Sequence, residues 1–214
     1  MDVTIIGTGN MARGIGTRLA TAGARVQILG RNADEARTLA NELSGKAAAG
    51  QVTAGQLGAD PVTGDVVVLA LPYDAAVEVA KRFAGQLANR IVVDITNPVN
   101  FATFDGVVVP PDSSAAQELA KLLPGATLVK AFNTTFAGTL ASGDVNGQPL
   151  DVFIATDSPE AAKAVASLVE QAGMRPIEIG PLRRARELEA MGYVHMLAQE
   201  AAGTGFGSAL KLYS

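Results

Sequence analysis

The run Val66-Val67-Val68-Leu69-Ala70-Leu71 is apolar at every position. Successive side chains of an extended segment point to opposite faces, so such a run needs cover above and below, as in the middle of a sheet lined by helices on both sides. Similar β-rich runs recur at Val3 to Ile6, Arg25 to Leu29, Asp65 to Leu71, Arg90 to Ile95, Thr127 to Phe132, Asp151 to Ala155 and Arg175 to Ile179. Between them come helical stripes, Met11, Ile15, Leu19 and Ala22 in one case and Ala162, Val165, Ala166 and Val169 in another, each able to lie on a sheet. Ser114 followed by Gln117 is a capping-box pattern that predicts a helix over about 114 to 123. The alternation predicts an α/β fold with a doubly wound, mainly parallel sheet. After Gly180-Pro181 the pattern changes to a charged helix from Leu182 to about Ala202, then the glycine-rich run Gly203 to Ser208. The expected division is a main domain over 1–180 and a small C-terminal helical segment over 181–214, packed on its edge.

The strand Val3 to Ile6 runs directly into Gly7-Thr8-Gly9-Asn10-Met11-Ala12, a G-x-G-x-x-A turn that opens the Met11 helix. In this setting the first glycine permits a tight turn, the second lets backbone approach a pyrophosphate, and a small third residue lets helix and strand pack closely. The helix start offers free amides and the positive end of its dipole to the anion. A Rossmann-type domain binding a dinucleotide through Gly7, Thr8, Gly9, Asn10 and Met11 is therefore expected. NAD binders place an acid about 20 residues further on, against the ribose 2′-hydroxyl. Here the second strand ends in Gly30-Arg31-Asn32, and a guanidinium suits a 2′-phosphate. The expectation is NADP(H), with Arg31 on the phosphate and Arg37 closing the other side if its helix presents it.

Ligands of open α/β sheets bind outside the carboxyl ends of the strands. Three turns fall there: Leu71-Pro72-Tyr73, Thr96-Asn97-Pro98 and Phe132-Asn133-Thr134-Thr135. Pro72 and Pro98 either end the ladder or pack on a cofactor; Asn97 and Asn133 either hold a carboxamide or a ring, or serve the turn. No paired carboxylates, nucleophile with base, or ligand cluster is expected at these ends, and no metal. Asp94 reads as a cap or buried hydrogen-bond anchor. The one histidine, His195, reads as a satisfied core or interface residue. Such sparse acid–base chemistry suits hydride transfer, where position matters more than proton movement.

Composition narrows the partners. A net charge of -4 and the lack of basic clusters argue against nucleic acid, and no apolar run reaches the length of a membrane span. With no cysteine and a start that runs into a strand, a soluble cytoplasmic protein is expected. Leu188, Met191, Val194 and Leu197 on one helix either exceed what one sheet edge covers or belong to an intrachain core; on the first alternative a homodimer is expected.

The Gly7 to Ala12 loop, Gly30-Arg31-Asn32, Val129-Lys130-Ala131-Phe132-Asn133-Thr134, Gly180-Pro181-Leu182 and the glycine-rich tail together resemble the coenzyme F420-dependent NADP oxidoreductase family. The resemblance implies a Rossmann domain that binds NADP(H), a C-terminal segment that helps form a deazaflavin cleft, and direct hydride transfer to coenzyme F420 as co-substrate. By position it puts Thr8, Asn10, Met11, Arg31, Asn32 and Arg37 around the NADP phosphates, and Asn133, Thr135 and Ala137 near the reacting rings. Leu71, Pro72 and Asn97 complete the expected cofactor pocket, and Gly205, Phe206 and Gly207 its edge. The run Lys130 to Thr134 is also similar to the cytosolic reductase domain of the six-transmembrane ferric reductases, which makes a flavin an alternative second substrate. A small-carbonyl reductase or an NADP(H)-sensing binding module would use the same nucleotide loop.

Overall fold

The computed structural model describes residues 1–48 and 51–213; Ser214, at the end of the C-terminal segment, lies outside the described residues. In chain order the elements are β1 (Asp2–Ile6), α1 (Asn10–Thr21), β2 (Arg25–Gly30), α2 (Ala33–Ser44), β3 (Val52–Gln56), β4 (Val66–Leu69) and α3 (Tyr73–Leu87). There follow β5 (Ile91–Asp94), α4 (Ala115–Leu122), β6 (Thr127–Lys130), α5 (Ala137–Ser142), a two-strand hairpin of β7 (Asp144–Val145) and β8 (Gln148–Pro149), and β9 (Asp151–Thr156). The chain closes with α6 (Pro159–Gln171), β10 (Arg175–Gly180), a short 3-10 turn and α7 (Ala185–Ala202).

The main sheet has the order β10-β9-β6-β5-β4-β1-β2-β3. The chain runs outward from β1 through β2 to β3, then crosses back to place β4 on the other side of β1, which makes a topological switch point between β1 and β4. The apolar run on β4 divides as its pleat dictates. Val66 and Val68 join the core beneath α1 and α2 with Ile15, Leu19 and Leu39, while Val67 and Leu69 face α3 and α4 with Val79 and Leu119. The helix predicted at 114 to 123 is α4, and the Gln117 amide donates to the Ser114 hydroxyl at 3.1 Å.

Three details depart from the sequence reading. β3 is an unanticipated edge strand, half exposed and interrupted by Gly55, so it lacks the apolar alternation that marks a strand. β9 pairs with β6 antiparallel while β10 follows β9 in parallel, because the β7–β8 hairpin returns the chain in the opposite sense. β6 stops at Lys130 rather than at Phe132, since Phe132 takes a left-handed backbone with φ of 62°, a conformation disfavoured for a bulky side chain.

The C-terminal tail returns to the start of β9. The Asp151 carboxylate accepts from Arg175 Nε and Lys211 Nζ at 2.8 Å and from the Leu212 amide at 2.8 Å. Burial alone would raise this carboxyl, but the bonds from Arg175, Leu212 and Lys211 outweigh it and hold its pKa down at about 2. A carboxyl held below its unfolded value of about 3.9 stabilises the fold above that value and loses the contribution as pH falls towards 2. Asp151→Asn is therefore expected to lower unfolding stability at pH 7 by about 2 kcal/mol. Urea titrations across pH should show the gap to wild type narrowing between about pH 4 and pH 2.

Candidate functional site

The glycine turn after β1 is shaped by close packing. Gly7 has φ of 130°, and a Cβ there would stand 2.3 Å from the Ala70 carbonyl oxygen, so only glycine lets β1 and β4 come together at the switch point. Gly9 caps α1 and faces open space, with nothing within 4 Å of a built Cβ. That opening lies directly against the free amides of the helix start. Ala12 is fully buried, as close helix–strand packing requires.

Two cavities extend from this turn along the carboxyl ends of the strands. The first, of about 650 Å³, runs over the end of β2 and is lined by Gly7, Thr8, Gly9, Arg31, Leu71 and Pro72 together with Leu57, Val79, Arg82 and Phe83. The second, of about 660 Å³, runs over β5 and β6. Its lining includes Asn10, Met11, Asn97, Asn133, Thr135 and Ala137, with Tyr73, Phe101, Phe136, Met196 and Phe206. Gly9, Ala70, Leu71 and Pro72 line both, so the two are ends of one groove. Among the described residues, no Asp, Glu, Lys, Arg or His lines the second end.

Most of the residues singled out in sequence meet in this groove. Asn32 and Arg37 do not line it. Asn32 caps α2 by accepting from the Asp34 amide at 2.8 Å, and Arg37 is drawn to Asp34 at 2.6 Å. Phe206 reaches the second cavity, whereas its neighbours Gly205 and Gly207 do not line it.

The walls of the second cavity are held by hydrogen bonds between strand ends. Asn97 Nδ2 donates to the Asn133 carbonyl at 2.8 Å; Asn133 Nδ2 donates to Asn97 Oδ1 at 2.9 Å and to the Leu188 carbonyl at 2.8 Å. The two asparagines therefore clamp the β5 and β6 turns to α7. Asn133 Oδ1 is left buried without a partner. Gly192 makes the close approach of α7 possible, since a Cβ there would lie 2.7 Å from Asn97 Oδ1.

Beneath this clamp lies a cluster the sequence reading missed. Asp94 and Lys130 are register partners at the ends of β5 and β6, so their side chains share a face. Lys130 Nζ donates to Asp94 Oδ2 at 2.8 Å, to Glu189 Oε1 at 2.8 Å and to the Thr96 carbonyl at 2.5 Å, and it is wholly buried. Glu189, on α7, also accepts from the Ala115 and Ala116 amides at the start of α4. Burial would pull the Lys130 ammonium down, but Asp94 and Glu189 outweigh it and hold it above its usual range. Burial pushes the Glu189 carboxyl up. Asp94 at a strand end and Glu189 from α7 thus share one cation and are enclosed with it. Asp94 is the buried anchor the sequence reading described. The one available sign was a lysine inside the apolar strand Leu128-Val129-Lys130-Ala131.

His195 is also satisfied. Its Nδ1 lies 3.1 Å from the Thr134 carbonyl, its Nε2 lies 2.8 Å from Ser208 Oγ, and its ring stacks on Phe136 with centroids 4.3 Å apart. The carbonyl can only accept, so Nδ1 carries the proton. Burial lowers its pKa.

The sheet order, the glycine turn at its switch point and the groove along the strand ends define a Rossmann-type fold of the dinucleotide-binding class. Residues 2–98 match the family described as NADP oxidoreductase, coenzyme F420-dependent. The F420-dependent NADP reductase of Methanothermobacter thermautotrophicus is 30% identical over 200 residues, covering 88% of this chain and 85% of that enzyme. The chain belongs to the F420-dependent NADP reductase family. Metalloreductase STEAP3 of Rattus norvegicus is 32% identical over 189 residues, which is 88% of this chain but only 36% of that protein's length. The crystal structure of a candidate F420-dependent NADP reductase from Arthrobacter sp. FB24 superposes with a TM-score of 0.82 at 24% identity, covering 99% of both chains, and shows the same fold. Among the described residues no helix is long and apolar enough to cross a membrane.

Replacing Lys130 by Met would leave Asp94 and Glu189 facing each other without their cation. Removing one partner of a buried ion cluster costs about 3–5 kcal/mol. Lys130→Met is expected to lose that much stability in denaturant unfolding, and an unchanged midpoint would contradict the assigned cluster.

Proposed function

We propose that this chain transfers a hydride between NADP(H) and the deazaflavin coenzyme F420. The observation that carries the reading is the pairing, in one groove, of a glycine turn at a helix start with an uncharged end of about 660 Å³. Gly7, Gly9 and the α1 amides would hold the pyrophosphate. Thr8 and Arg31 would hold the 2′-phosphate, with the adenine between Leu57 and Phe83. Leu71 and Pro72 carry the dinucleotide across the switch point into the second end. There Asn97 and Asn133 would stand beside the carboxamide, and Thr135 and Ala137 line the same cavity.

When bound, NADPH supplies the hydride and the deazaflavin ring accepts it. The chain's own residues supply orientation and exclude water. Met196 and Phe206 bring the C-terminal segment, residues 181–214, over the second end as its outer wall, with Phe136 behind them. On this reading residues 1–180 hold the nucleotide and the C-terminal segment completes the cleft for the second substrate. The outward side of α7, where Val194 and Leu197 are exposed, would serve a homodimer, and a cytoplasmic address goes with the two diffusible substrates. A flavin in place of F420 is the second reading, favoured by the absence of charge from the lining and by the likeness to the metalloreductase.

Mixing the purified chain with NADPH and F420 and following deazaflavin absorbance tests the proposal. Exchange with F420 and none with FMN or FAD is expected; turnover with flavins alone would transfer the proposal to the second reading. Gly192→Ala, which drives a methyl group against the Asn97–Asn133 clamp, is expected to reduce kcat more than tenfold, on the scale a misplacement of about 1 Å can cause. Its affinity for NADP+ should change little.

A further inference from the structure

The nucleotide end of the groove carries a carboxylate where a phosphate is to be held. Thr8 Oγ1 donates to Glu35 Oε2 at 3.0 Å, so the Glu35 side chain lies over the loop that faces the ligand. Gly30 makes this possible, since a Cβ there would stand 2.9 Å from the Thr8 methyl carbon. Arg31 and Glu35 line the same cavity from either side of the α2 start. The cation that would reinforce Arg31, Arg37, is turned away to Asp34. Further along, Asp74 and Glu78 line this cavity against Arg82. Its charged lining is therefore three acids against two arginines, in a site for a polyanion.

We propose that Glu35 sets cofactor choice: its carboxylate accepts from the ribose 2′-hydroxyl of NAD(H) and opposes the 2′-phosphate that Arg31 attracts, holding the preference for NADP(H) to a modest ratio. The inference rests on the reading that this end of the groove binds a nicotinamide dinucleotide. A carboxylate is an acceptor for a hydroxyl and repels a dianionic phosphate, whereas the guanidinium does the reverse. The two side chains pull the same equilibrium in opposite directions. Among the described residues the Glu35 side chain is bonded only to Thr8, and it is exposed, so its replacement leaves the core untouched.

The test is isothermal titration of the full chain with NADP+ and with NAD+, for wild type, Glu35→Gln, Glu35→Lys and Arg31→Ala. Wild type is expected to bind both, and Glu35→Gln to raise the NADP+ to NAD+ affinity ratio about five- to tenfold, the scale of one charge acting on a dianion in a partly solvated site. Glu35→Lys should raise it further, and Arg31→Ala should lower it. A ratio that stays constant across the Glu35 series while Arg31→Ala lowers it would overturn the role of Glu35 and leave the nucleotide site standing. Wild type that binds neither nucleotide would overturn the site itself, and this inference with it.

Discussion

The buried contact of Lys130 with Asp94 and Glu189 is the interaction on which the rest of the site depends. Enclosing an ammonium group is costly unless its charge is matched and its donors are used, and here two carboxylates and the Thr96 carbonyl use all three. Each partner comes from a different element. Asp94 ends β5, Lys130 ends β6, and Glu189 stands on α7 while closing the amides at the start of α4. The strand ends, a helix start and the C-terminal helix therefore share one set of bonds. Apolar packing could bring these elements together, but it is non-directional; the charged contacts, with the bonds of Asn133 to the Leu188 carbonyl and of His195 to the Thr134 carbonyl, fix the offset of α7 along the sheet.

That offset decides what the groove can hold. With α7 fixed by Glu189, Gly192 falls against Asn97 and Asn133, the clamp forms, and Met196 reaches the outer wall. The strained backbone of Phe132 turns the chain immediately before Asn133, so the distortion sits where a side chain must be aimed. The Asn97–Asn133 clamp in the floor of the second cavity is thus built from amides that bond to one another, with Asn133 Oδ1 and Thr96 Oγ1 left over. On the proposed function such a surface would position a ring and exclude water, and no charged side chain among the described residues lines it to exchange protons, as hydride transfer asks of a protein.

Much of this was legible in the sequence because it is local. The glycine turn, the two-faced run of β4 and the Ser114 cap are each written within a few consecutive residues, and each sits where the pattern put it. The turns at Leu71, Asn97 and Asn133 were identifiable because parallel strands bring their carboxyl ends to one edge. What was not legible is what depends on distance. Lys130 and Glu189 are 59 residues apart, and neither flanking sequence announces the other. Arg37 had the right spacing for a phosphate ligand, but Asp34 one helical turn away captures it. Glu35 went unremarked in the sequence, because its contact with Thr8 crosses from α2 to the β1 turn. β3 escaped notice because an edge strand half in solvent needs no apolar alternation.

The most direct test of this account is a crystal structure of the chain with NADP+ bound. The account predicts the adenosine end beside Arg31 and Leu57, the pyrophosphate on the amides that follow Gly9, and the nicotinamide in the second cavity with its carboxamide beside Asn97 and Asn133. The ring face opposite should be open towards Met196 and Phe206. A nicotinamide lying outside that cavity, with no contact to Asn97 or Asn133, would contradict it.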